Sequence, residues 1–201
     1  MSSSLGLTQY IGIVLGSSVV SVTITQLITW YREHRKDKIL LKINSRLSAI
    51  CAIRRLEEYA IACYKVIDKN SRLTQELGEH EADGQHDLNF PNYPEFDAND
   101  LRYLSKEVAT HLLTHSSQLS LTIEYLSAHW EHDIGPEFVE RFNNQVGYFG
   151  YWAWTLAREL RTTHQLPALQ LPAINHYVEE FLEKFSERAI QAAQRERASI
   201  G

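Results

Sequence analysis

Apolar positions are distributed in two different ways along this chain. From Tyr10 to Trp30 they are crowded together without charge and without a stripe. Beyond Arg32 they recur every three or four residues, the period of a helix with one buried face. The first such run is Leu40, Ile43, Leu47, Ile50, Ile53, Leu56, Ala60, Cys63 and Ile67. Neither Gly nor Pro occurs between Tyr31 and Leu77, so the spacing predicts one helix running from the N-terminal stretch to about Leu73.

A second helix is predicted from Asp97–Asp100, whose carboxylates suit an N-cap, to about His132. Its stripe is Leu101, Leu104, Val108, Leu112, His115, Leu119, Ile123, Leu126 and Trp130. The third follows Gly135, with Pro136 at its first position, and carries Phe142, Val146, Phe149, Ala153, Leu156 and Leu160 to about His164. The fourth opens at Pro172 and carries Ile174, Val178, Phe181, Phe185, Ala189 and Ala192. No segment alternates as a strand would. The fold expected is all-α: a single N-terminal transmembrane helix, then an antiparallel, up-down bundle of about four long helices.

The membrane expectation rests on charge. Residues 1–31 have no charged side chain, whereas 32–46 hold six basic residues against Glu33 and Asp37. Twenty-one helical residues from Tyr10 to Trp30 rise about 31 Å, the thickness of a hydrocarbon core. Tyr10, Trp30 and Tyr31 stand where interfacial aromatics belong, although Ser17, Ser18, Ser21, Thr23, Thr25, Gln26 and Thr29 dilute the segment. The organisation expected is a short extracytoplasmic tail (1–9), a transmembrane helix (10–31) and a cytoplasmic bundle (32–201). Arg32, Arg35, Lys36 and Lys38 orient the span with its C-terminal side in the cytoplasm and meet anionic lipid headgroups. Gly12 and Gly16, continued by Ser17 and Ser21, form a small-residue row suited to helix association within lipid, and hence to a homo-oligomer.

One connection breaks the helical pattern. Residues 76–99 are rich in Asp and Glu, contain no basic residue, and include Phe90-Pro91-Asn92-Tyr93-Pro94-Glu95-Phe96. An aromatic at every third residue puts three rings on one edge of a polyproline II segment. These rings either hold the loop on its own bundle or dock on a partner. A second aromatic group, Tyr148, Tyr151 and Trp154, falls off the core stripe of the third helix beside Gly147 and Gly150. It too is a candidate partner-binding surface.

The chain of 201 residues is 44% hydrophobic with a net charge of −5, enough apolar material for one core and too acidic for a nucleic-acid binder. Cys51 and Cys63 exclude a disulfide framework. His111 and His115 share a helix face, but Leu112 stands where a metalloprotease motif has Glu, so His115 reads as a core histidine. No Glu-x-x-His, nucleophile elbow or phosphate-binding glycine loop occurs. The function expected is non-enzymatic: a scaffold, adaptor or regulatory subunit, with no cofactor, presenting its bundle to a protein partner. A metal-dependent membrane enzyme and a sensor relaying membrane state are the alternatives.

Overall fold

The computed structural model describes the backbone of residues 5–77, 85–130, 135–167 and 172–200, and the side chains of 22–77, 85–128, 135–167 and 176–198. The described residues form five helices and no strand: α1 (Leu5–Leu77), α2 (Ala98–Leu101), α3 (Lys106–Trp130), α4 (Pro136–Thr163) and α5 (Pro172–Ile200). The chain divides into two compact units, Met1–Ser45 and Arg46–Gly201, and α1 contributes to both.

In the first unit, every side chain from Val22 to Ile43 is exposed. The expected transmembrane helix over 10–31 is not supported: among the described residues no helix is long and apolar enough to cross a membrane. From Val22 onward, Thr23, Thr25, Gln26 and Thr29 interrupt the apolar residues, and Arg32 ends them within ten positions. Gly12, Gly16, Ser17 and Ser21 lie outside the residues whose side chains are described.

In the second unit, α4 is the central element. Fourteen of its residues are buried where α1, α3 and α5 pack against it, while Glu137, Arg141, Thr155 and Glu159 leave one face open. Along α4, Asn143 meets Asn70, Gly150 meets Cys63 and Arg161 meets Glu57, so α1 runs antiparallel to it. Phe138 and Phe142 lie near Leu126 and Ile123, while Trp152 stacks on His115, so α3 is antiparallel as well. Gly147 against Phe185 and Tyr151 against Glu183 give the same sense for α5. Hence α1, α3 and α5 run one way and α4 the other, which corrects the up-down order expected from the sequence. Two consecutive long helices that run in the same direction need one long crossover.

Residues 85–97 supply it. His86 contacts Thr74 at 3.0 Å, and Phe96 lies 5.7 Å beneath the Arg55 guanidinium. Nineteen residues of α1 rise about 28 Å, so this strap advances about 2.9 Å per residue, close to polyproline II. It ends at Asp97, which caps α2 in a reciprocal box with Asp100. The single second helix expected from the sequence is thereby split: Leu101 closes α2, and Ser105 starts α3 with its hydroxyl accepting from Val108 N–H.

The glycines Gly147 and Gly150 have a packing role. A Cβ on Gly147 would stand 2.3 Å from that of Phe185, and one on Gly150 would stand 2.8 Å from that of Cys63. Both glycines let helices approach more closely than any side chain permits. On α1 the predicted stripe divides: Ile53, Leu56, Ala60, Cys63 and Ile67 are buried, but Leu40, Ile43, Leu47 and Ile50 are exposed.

Candidate functional site

The groove that α1, α3 and α4 form beneath the strap holds a cluster of aromatic and polar side chains. Its upper end is a clasp. Asn70, 0% exposed, accepts from Asp87 N–H at 2.8 Å and donates through Nδ2 to the Asp87 carbonyl and to Asn143 Oδ1, both at 2.9 Å. An extended backbone segment has free N–H and C=O groups, and a single carboxamide matches both. The Asp87 side chain takes an ion pair from Lys69 at 3.1 Å. Burial alone would raise its carboxyl pKa, but hydrogen bonds from Lys69 and Asn89 outweigh that and hold it below the usual carboxylate range.

Three rings follow in register. Phe90 packs edge-on against Phe142 and Phe149, at 5.0 and 6.2 Å between centroids. Tyr93 meets Tyr59 edge-on at 5.1 Å and His115 at 5.4 Å. Phe96 touches Tyr93 and the Arg55 guanidinium, and Arg55 also donates to the Glu95 carbonyl at 2.8 Å. Asn92 and Glu95 face outward, as a three-residue rotation requires.

The floor is less well satisfied. His115 is 2% exposed, stacks on Trp152 at 3.5 Å and meets Phe149 at 4.8 Å, and neither ring nitrogen has a hydrogen-bond partner. Burial lowers its pKa to about 3, so the imidazole is neutral. The Tyr59 hydroxyl also lacks a properly formed hydrogen bond, with only the weakly accepting Cys63 thiol beside it. Burial pushes the Cys63 thiol up to about 12, whereas Cys51 is exposed on the same helix. Next to Phe90 an open cleft of about 320 Å³ runs between Leu88, Ile123 and Phe138.

The candidate partner-binding residues occupy different environments. Phe90, Tyr93 and Phe96 are half-buried against the chain's own core. Trp154 is 4% exposed, a correction to its expected position on an open face, because it lies on the flank of α4 where Gly147 meets Phe185 of α5. Tyr151 donates to Glu183 Oε1 at 2.9 Å. Tyr148 is half-buried and edges a surface cleft of about 320 Å³ with Ala189, Ile190 and Arg197. Arg32, Arg35, Lys36 and Lys38 are all exposed, and Arg35 lies 5.6 Å over the Tyr31 ring.

Sequence reasoning missed Asn70 and the Tyr59 hydroxyl. A polar residue on the apolar stripe of the first helix, three positions beyond Ile67, was the available signal for Asn70. A second, polar cleft of about 430 Å³ lies between Thr74, His86, Glu137, Glu140 and Arg188. Arg188 and Glu140 approach to 3.8 Å there, and the His86 ring is held by Thr74. Among the described residues no three His, Cys, Asp or Glu side chains converge as metal ligands would. No known protein family, curated protein or solved structure matches this chain.

Proposed function

We propose that the chain is a membrane-anchored, non-catalytic interaction protein that presents its helical bundle to a protein partner on the cytoplasmic side. The observation that carries this reading is the state of α1 before its basic stretch. Val22, Ile24, Leu27, Ile28, Trp30 and Tyr31 are each 52–61% exposed. At 100° per residue they cover about 240° of the helix circumference, an apolar surface too broad for one neighbouring helix and suited to lipid. Thr29 donates to the Thr25 carbonyl at 2.9 Å, so its hydroxyl is satisfied without water. Residues 1–31 carry no charged side chain, and the basic residues after Tyr31 supply the headgroup contacts and the orientation.

Tethering confines the bundle to two dimensions, so modest surfaces suffice to hold a partner. Topology reporters test the anchor. A cytoplasm-only reporter fused after Gly201 should be active, and neutralising Arg32, Arg35, Lys36 and Lys38 together should weaken the orientation. Recovery of the full chain from the aqueous fraction after carbonate extraction would end the reading. Co-purification from membranes in mild detergent identifies the partner.

A further inference from the structure

We propose that the groove beneath the strap is a binding site for an extended peptide of another protein, with aromatic residues at every third position separated by prolines, and that residues 86–96 are its internal stand-in. The inference rests on the partner-binding reading of the bundle and names the chemistry of that partner.

The strap is held as a peptide ligand is held. Its backbone is read by the Asn70 carboxamide at one end and by Arg55 at the other, where Arg55 donates to the Glu95 carbonyl. Between these two grips lie the seats for Phe90 and Tyr93, and Phe96 sits just past the second under Arg55, while the Asn92 and Glu95 side chains are exposed. Backbone grips with pockets for alternate side chains give affinity and pattern recognition together, and a polyproline-like chain loses little entropy on docking. The pattern recognised is aromatic-Pro-x-aromatic-Pro-x-aromatic.

The internal occupant does not satisfy the groove. His115 is nine-tenths buried and more, and both its ring nitrogens are unpartnered beneath Tyr93; the Tyr59 hydroxyl beside the same ring is orphaned too. Buried polar atoms of this kind are costly to leave unpaired. A cleft remains open beside Phe90. An occupant with a larger first ring and a hydrogen-bonding group under its central ring complements both features, so an external peptide can out-compete the strap despite the strap's high effective concentration.

The test uses the full-length chain in mild detergent and a fluorescein-labelled synthetic peptide spanning residues 85–97. Wild-type protein is compared with the Tyr93→Ala, Phe96→Ala variant, in which the internal competitor is weakened. Saturable binding at least tenfold tighter to the variant, with an unchanged helical circular dichroism spectrum, is the expected result. Absence of saturable binding to the folded variant, or equal binding to both proteins, overturns the proposal. If the variant fails to fold, hydrogen exchange on wild type decides. The same peptide carrying Phe90→Trp, which supplies the larger first ring, should in excess accelerate amide exchange in residues 88–96 and leave α4 unchanged, and no acceleration overturns the proposal equally. A concentration-dependent dimer that the peptide does not dissociate would assign the groove to strap exchange between copies and overturn it too. A negative peptide result alongside a co-purifying partner would sink this inference while leaving the proposed function standing.

Discussion

Asn70 grips Asp87 with both ends of its carboxamide, accepting the backbone N–H at 2.8 Å and donating to the carbonyl at 2.9 Å. The two residues are seventeen apart in sequence, and this clasp fixes where the strap begins its descent along α1. Its removal should be felt more than that of any surface contact nearby. Asn70→Ala leaves Asn143 Oδ1 and two backbone groups of Asp87 without this partner, a loss of about 2–3 kcal/mol. Lys69→Ala removes only a pair whose lysine side chain is 57% exposed, worth about 0.5 kcal/mol or less. Urea unfolding of both variants checks the order.

Stability should fall on the acid side through His115. Its pKa is lowered to about 3 by burial, against an unfolded value of about 6.5. The unfolded state therefore binds the proton more readily. The favourable contribution is complete above pH 6.5 and is lost progressively as pH falls from there towards 3. His115→Leu should change stability by no more than about 1.5 kcal/mol at pH 7, since lost stacking on Trp152 is offset by relief of two unpaired nitrogens. The variant should lose the His115 part of the acid slope, up to about 1.4 kcal/mol per pH unit. Unfolding titrations at pH 7, 5.5 and 4.5 on both proteins isolate the difference.

The glycines of α4 should resist substitution despite the gain in helix propensity that alanine brings. Gly147→Ala forces a methyl to 2.3 Å from the Phe185 Cβ, so α5 must move outward, at about 1–3 kcal/mol. Gly150→Ala meets Cys63 Cβ at 2.8 Å and Leu182 Cδ2 at 3.1 Å, the latter on a flexible side chain, and should cost less. Thermal unfolding midpoints should therefore rank wild type, then Gly150→Ala, then Gly147→Ala.

The two thiols should differ sharply in reactivity. Burial raises the Cys63 thiol to about 12 and closes it to reagents, while Cys51 is exposed. A thiol-specific maleimide should label one equivalent in the native protein and two in denaturant. Cys51→Ser should abolish native labelling, and residual labelling would show that the α1–α4 contact at Gly150 opens readily.

The period of the apolar residues, with Pro136 and Pro172 as start signals, determined by itself that this chain is helical and where α4 and α5 begin. It also placed His115 in the core and the stripe of α4 from Phe142 to Leu160. Those are local properties: a helix's face is set by residue spacing, and its start by groups within one turn. What covers each face was decided only by tertiary structure. Periodicity assigns Leu47 and Ile53 to one run, yet one is 55% exposed and the other 2%, because only the second joins the core cluster. Trp154 lies off the stripe of its helix and is buried, on the flank where Gly147 meets Phe185 of α5. Helix direction was likewise invisible, for an amphipathic pattern reads the same in either sense. Once α1 and α3 run parallel, the acidic connection must travel back along α1, from Thr74 to Arg55. Asn70, Tyr59 and His115 then become the floor of a groove because packing brings together residues far apart in the chain.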